Sequence, residues 1–280
     1  MPEISAARYR AGQGEPLVLI HGFTATWRCW EPVLAPLVAQ FDVFAPTLPG
    51  HDGGAAWPTA GRFGLQDAVD LVEAELDEQG MTGRVHVVGN SMGGTIALEL
   101  ARRGRALSCT ALSPGAGWFH GDAEGERIIK FFKRQQKMAR ASAPHLDRVM
   151  RRPVPRRLAL RDVMLHGELV QPADAAAMTR SSTKCEVVDL VYGAIRDGSA
   201  ILADLGDVPA PVIVAWARHD RILPLERHAP RFRNEIKDVD FRILEGCGHV
   251  PMWDDPALVV KTIQDGVQAG RRAAAQAAAA

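Results

Sequence analysis

Five residues, Gly89-Asn90-Ser91-Met92-Gly93, constrain this chain more than any others. Ahead of them runs a short apolar stretch, Arg84 to Val88, with Val85, Val87 and Val88. Behind them runs a helical pattern, Gly94 to Arg103, carrying Ile96, Ala97, Leu98, Leu100 and Ala101. A strand that turns into a helix this abruptly needs small flanking residues, because the two backbones nearly touch. In that setting G-x-S-x-G lifts a serine hydroxyl above the strand end, at a helix N-terminus, where developing negative charge is stabilised. The bare pattern is common. Its meaning rests on whether the chain also supplies a base, an acid and an oxyanion site.

The remaining order of the chain suits such a turn. Leu17-Val18-Leu19-Ile20, Asp42 to Pro46, Leu107 to Leu112, Val212 to Trp216 and Val239 to Leu244 read as short strands. Continuous β-branched runs of this length belong to strands buried on both faces of a parallel sheet. Helical patterns separate them: Trp27 to Val38, Leu65 to Gln79, Pro224 to Asn234 and Pro256 to Val267. This strand-and-helix rhythm predicts an α/β fold. It stops from about Gly117 to Leu205, where only helical patterns occur. The expected organisation is therefore a core of residues 1–116 and 206–268 with a helical insertion, 117–205. The Ala-rich residues 269–280 are expected to be a frayed or disordered tail.

Several function classes recede on composition. Lys plus Arg and Asp plus Glu both number 33, so bulk charge selects neither nucleic acid nor a membrane. The insertion is locally basic, with Arg127, Lys130, Lys133, Arg134, Lys137, Arg140, Arg148, Arg151, Arg152, Arg156, Arg157 and Arg161 opposed only by Asp147. That reads as a solvated helical face, with attraction of an anionic substrate, phospholipid or acidic partner as the alternative. Cys29, Cys109, Cys185 and Cys247 form no CxxC pair and suit free thiols in a reducing compartment. Residues 1–13 lack the apolar core of a signal peptide, and no run is long enough to span a bilayer. A cytoplasmic location is expected. No Cys/His/Asp/Glu set has metal-ligand spacing, and neither metal nor cofactor is called for.

A serine hydroxyl needs a base to take its proton. His249 is the candidate, in a glycine-rich loop between the last strand and the last helix. Its imidazole needs a carboxylate to hold its tautomer, and Asp220, just past the Val212 to Trp216 strand, is placed for that. Asp254 and Asp255 rival it by residue type, but they read as caps of the helix beginning at Pro256. Two N–H donors should hold the oxyanion: Met92, after the nucleophile, and Phe23, in the corner after the first strand run, with Thr24 the second choice there. His21 reads as structural.

These pieces together resemble the α/β-hydrolase superfamily over about residues 8 to 268. The matching stretches are His21-Gly22-Phe23, Leu48-Pro49-Gly50-His51, Gly89 to Gly94, Asp220 followed by Pro224, and Gly248-His249. The resemblance implies a mostly parallel sheet flanked by helices, a helical cap inserted after Leu112, and a triad of Ser91, Asp220 and His249. It implies a serine hydrolase acting on a small-molecule carboxylic ester. Epoxide hydrolases of this fold carry an aspartate where Ser91 stands. The meta-cleavage C–C bond hydrolases share the Gly-Asn-Ser-Met-Gly-Gly elbow but differ at Thr24-Ala25-Thr26 and Val250. C–C bond cleavage, a cofactor-free perhydrolase or peroxidase reaction, and a non-catalytic binding role stand as alternatives. Trp118 and Phe119, at the junction of core and insertion, are expected to touch substrate, as are Thr24 and Val250. Trp27, Trp30 and Trp253 read as core.

Overall fold

Leu17, Val18, Leu19 and Ile20 have no exposed surface at all, and the reason is a sheet with helices on both of its faces. The computed structural model describes residues 2–58, 61–202 and 204–279. Eight strands form one sheet: β1 (Glu3–Ile4), β2 (Arg8–Ala11), β3 (Pro16–Ile20), β4 (Asp42–Pro46), β5 (Val85–Asn90), β6 (Ala106–Leu112), β7 (Val212–Ala217) and β8 (Asp240–Leu244). Their order is β1-β2-β4-β3-β5-β6-β7-β8. From β4 to β8 every pairing is parallel; β1 and β2 join antiparallel at one edge. This is the α/β-hydrolase fold that the resemblance implied.

Alternation along the strands divides the core in two, because successive side chains point to opposite faces. Val18 and Ile20 pack on one side with α2 (Leu65–Glu78) and α3 (Met92–Arg102). Leu17 and Leu19 pack on the other with α1 (Glu31–Val38) and α10 (Pro256–Ala279). The chain crosses between β4 and β5 from one side of β3 to the other. Strand ends beside such a crossover open a crevice at the carboxyl edge of the sheet, where ligands of open α/β sheets bind.

Between β6 and β7 the described residues form helices only: α4 (Ala123–Ser142), α5 (Leu146–Arg151), α6 (Pro153–Leu160), α7 (Pro172–Ser182) and α8 (Val188–Asp197), with short 3-10 turns. They carry a small core of their own, centred on Leu146, Met150, Leu160, Met164 and Val170. After β7 comes α9 (Leu225–Glu235).

Two features differ from expectation. The β1–β2 hairpin is invisible in sequence because β1 is exposed and β2 half buried, with no apolar run, and the pairing of β2 with β4 defines it. The Ala-rich end is not a frayed tail: α10 continues through it to Ala279. Packing holds the helix as far as Gly270, and Arg271 pairs with Glu15. Alanine, the strongest helix former, carries it onward. Among the described residues no helix is long and apolar enough to cross a membrane.

Candidate active site

Ser91 is the hinge of the strand-to-helix turn, with φ 56° and ψ −119°. A residue bearing a Cβ is strained there by roughly 1–3 kcal/mol and stays only if its surroundings hold it. They do. The Ser91 N–H donates to Leu112 O at 3.0 Å, while Ser91 O accepts from Thr95 N–H at 3.1 Å and Gly115 N–H at 3.0 Å. The flanking glycines are steric necessities. A Cβ on Gly89 would lie 2.0 Å from Gly93 O, and one on Gly93 would lie 2.1 Å from Ile20 O.

Asp220 and His249 arrive from the loops after β7 and β8. Asp220 is buried, and its Oδ1 accepts the Ile222 and Leu223 N–H groups at 2.9 and 2.7 Å. Its Oδ2 is 2.6 Å from His249 Nδ1. A carboxylate so engaged accepts the Nδ1 proton, which leaves Nε2 as the basic nitrogen. Asn90, beside Ser91, fixes the same loop from below: its Nδ2 donates to Leu112 O at 3.1 Å and to His249 O at 2.9 Å. One side chain thus sets the His249 loop against the strand that carries Ser91.

Asp254 does something other than cap a helix. Its carboxylate accepts from Gly248 N–H at 2.7 Å, next to His249, and from Leu165 and His166 N–H at 2.9 and 2.7 Å, in the loop after α6. Only Asp255 caps α10, accepting from Leu258 N–H at 2.9 Å. Asp255 holds the helix end, and Asp254 turns to the insertion. Val250 N–H donates to Val163 O at 2.8 Å and strengthens the same seam.

His21 ties down the corner after β3. Its Nε2 accepts Leu48 N–H at 2.8 Å, so the proton is on Nδ1, which donates to Gly22 O at 2.8 Å. Burial holds its pKa well below the ordinary histidine value, so it is neutral and makes no second base. Phe23 and Thr24 follow, with Thr24 at φ 64°. The Phe23 ring meets Phe132 edge-on at 5.0 Å. Met92 opens α3, where an N–H has no intrahelical acceptor.

Ser91 and His249 line one cavity of about 330 Å³. Phe23, Thr24 and Val250 line it too, with Phe131 and Phe132 of α4, Leu160, Met164, Met178 and Ile222 making much of its wall apolar. Trp118 and Phe119 are not among these residues. Trp118 is buried away from the cavity, edge-on to His228 at 6.1 Å, and Phe119 is 59% exposed under Arg231. Trp118 packs into the main core instead, and the aromatic wall of the cavity comes from α4. Two adjacent phenylalanines just after Ile128 and Ile129 in a largely charged helix are the available signal: charged surface does not explain them.

The basic run of the insertion is partly spent internally. Arg127 pairs with Glu124 at 2.6 Å and donates to Ile222 O at 2.8 Å; Arg156 is buried and donates to Met150 O and Glu168 O, both at 2.5 Å. Among the described residues no group of three His, Cys, Asp or Glu side chains could hold a metal ion.

The sequence model of the alpha/beta hydrolase family matches residues 17–262. Epoxide hydrolase EphH of Mycobacterium tuberculosis is 32% identical over 200 residues, 69% of this chain and 90% of that one. A pimeloyl-[acyl-carrier protein] methyl ester esterase of Nitrosomonas europaea is 27% identical over 88% of this chain and 92% of its own length. The solved structure of a 2-hydroxy-6-oxo-6-phenylhexa-2,4-dienoate hydrolase from Rhodococcus sp. superposes with a TM-score of 0.73 at 20% identity, covering 96% of this chain and all of that one. Fold, family match and relatives agree: the chain belongs to the alpha/beta hydrolase family and is a hydrolase.

Proposed function

We propose that this hydrolase cleaves carboxylic esters bearing an apolar acyl group, through an acyl-enzyme on Ser91. The observation that carries the reading is the buried 2.6 Å contact of Asp220 with His249 Nδ1, facing the same apolar cavity as a serine held on a strained turn. In the reaction His249 Nε2 takes the Ser91 proton as the hydroxyl oxygen attacks the ester carbonyl. The Phe23 and Met92 N–H groups hold the oxyanion, a contribution of roughly 3–4 kcal/mol per donor in comparable sites. Asp220 stabilises the imidazolium. His249 then gives its proton to the departing alkoxide, which leaves as the alcohol. Water, deprotonated by His249, attacks the acyl-serine, and the carboxylic acid leaves as Ser91 recovers its proton. Residues 117–205 act as a cap that walls the cavity.

Chemistry separates the rival names. A serine that opened an epoxide would become an alkyl ether, which water cannot readily cleave; an acyl-serine is an ester, which it can. The epoxide name of one relative therefore does not carry over. Cleavage of a C–C bond in a diketone acid needs a cation for the substrate carboxylate. The single cation lining the cavity among the described residues is Arg28, already paired with Glu31 at 2.5 Å and lying over the Trp27 ring. A volume of 330 Å³ is at the small end for ligand sites and suits an acyl group of modest length. The buried free thiols fit the cytoplasmic placement read from the sequence.

Hydrolysis of 4-nitrophenyl butyrate, with styrene oxide and a vinylogous diketone acid assayed beside it, tests the reading. Ester turnover should exceed the others and fall about 10⁴-fold or more in Ser91→Ala. A folded Ser91→Ala protein that keeps its turnover, of ester or epoxide, overturns it.

A further inference from the structure

Helix α6 has two faces with different duties. Leu160 and Ala159 line the cavity, and the buried Arg156 anchors the helix through Met150 O and Glu168 O. Four residues apart on its outer side, Val154 and Leu158 are 69% and 57% exposed. Positions i and i+4 lie one above the other, so the two make a continuous apolar ridge. The short turn carrying Leu169, itself 69% exposed, is held against α6 by the Arg156 bond and by the Arg157–Glu168 pair at 3.6 Å. Hydrophobic side chains this large and this exposed, grouped on one face, mark an interaction site. Arg151, Arg152, Arg157 and Arg161 surround them, all exposed; Arg151 and Arg152 make no ion pair among the described residues.

We propose that this face of the cap docks on an anionic lipid surface. A convex helix with apolar tips and a basic rim matches the boundary of a charged bilayer, where acyl chains receive the tips and anionic headgroups receive the arginines. A second copy of the chain fits poorly. Any two-fold contact through the ridge would bring the arginine rims of both copies together. An acidic protein would satisfy the charges, but a ridge of two apolar side chains on one helix offers it little to enclose. Docking here places α6 between bilayer and cavity, so that an apolar ester reaches Ser91 past the helix that touches the lipid. The surface stands independently of the ester chemistry.

Vesicle flotation of the full chain tests this, using phosphatidylcholine alone and phosphatidylcholine with phosphatidylglycerol. Wild-type protein should float with the anionic vesicles, less so as salt rises, and not with the neutral ones. The triple variant V154S/L158S/L169S and the double variant R151Q/R152Q should each bind roughly tenfold or more weakly. None of these residues lines the cavity, so hydrolysis of a water-soluble ester should be unchanged. Wild-type protein that stays at the bottom of the gradient overturns the proposal, as does equal flotation of the triple variant. Self-association that the triple variant abolishes assigns the ridge to a second copy. Capture by polyglutamate without flotation assigns it to an acidic protein.

Discussion

Replacing Asp254 by alanine tests whether the cap seam sets the base. The carboxylate is the shared acceptor for three backbone N–H groups: Gly248 at 2.7 Å, His166 at 2.7 Å and Leu165 at 2.9 Å. Hydrogen bonds to a charged group are worth about 1.5–3 kcal/mol each when buried. Asp254 is half-buried, and water can reach part of what it leaves, so a net loss of roughly 3 kcal/mol is expected for the three together. For a chain of this size each kcal/mol moves the melting temperature by about 2–4 °C, giving a fall of roughly 6–12 °C. The activity should fall further than stability alone explains. Gly248 precedes His249, and a base displaced by about 1 Å can cost on the order of 100-fold in rate.

Asp255→Ala is the control, because that side chain only caps α10 through Leu258 N–H. It should cost about 1 kcal/mol of stability and leave ester hydrolysis untouched. Thermal melts and kcat/KM for both variants, measured well below the lower melting temperature, decide the matter. If Asp254→Ala keeps the kcat/KM of Asp255→Ala, the seam does not position His249 and the reasoning fails.

Three further outcomes follow from the same geometry. Asp220→Asn would set an amide N–H against His249 Nδ1 and favour the wrong tautomer, lowering kcat about 10⁴-fold in ester assays while the Ile222 and Leu223 N–H bonds preserve the fold. Phe132→Ala should widen the cavity beside Phe23 and shift the preferred acyl length upward in a panel of 4-nitrophenyl esters; an unchanged chain-length profile would remove α4 from the acyl site. Burial lowers the pKa of both His51 and His228 from 6.5 to about 4, so each is neutral when folded and takes up a proton on unfolding between those values. The unfolded chain then binds more protons, so this stability is complete above pH 6.5 and is lost as pH falls toward 4, up to about 3 kcal/mol per histidine. A melting temperature that stays flat from pH 7 to pH 4.5 would contradict it.

What the amino-acid sequence discloses follows from which interactions are local. Leu17 to Ile20 and Val212 to Trp216 are legible as strands because burial on both faces leaves only apolar residues. Gly89 and Gly93 are legible because a Cβ there meets backbone within the same turn or the adjoining strand. The proposed triad of Ser91, Asp220 and His249 is suggested by chain order. Asp254 is not, since a carboxylate before Pro256 looks like a helix cap until the insertion is folded back onto it. Trp118 and Phe119 do not line the cavity, for a related reason. Their partners, His228 and Arg231, come from α9, more than a hundred residues further along the chain. The polar β1–β2 hairpin has no apolar period at all, and only its partner strand β4 gives it form.

The seam between insertion and core also bears on how such a site can change its substrate. Its central bonds engage backbone on the insertion side: Val163 O to Val250 N–H, Leu165 and His166 N–H to Asp254, and Glu186 N–H to Gly50 O at 2.7 Å. Backbone groups are present whatever the side chain, so these bonds survive substitution along the cap. Phe131, Phe132 and Met178, which wall the cavity from the insertion, take no part in these bonds. A mutation at one of them alters the space offered to the acyl group while Gly248 keeps its acceptor and His249 its place. On the proposed reaction, acyl specificity and the placing of His249 would then depend on different atoms of the same segment. The Asp254 and Phe132 variants should accordingly separate cleanly, the first lowering turnover of every ester and the second reordering the esters among themselves.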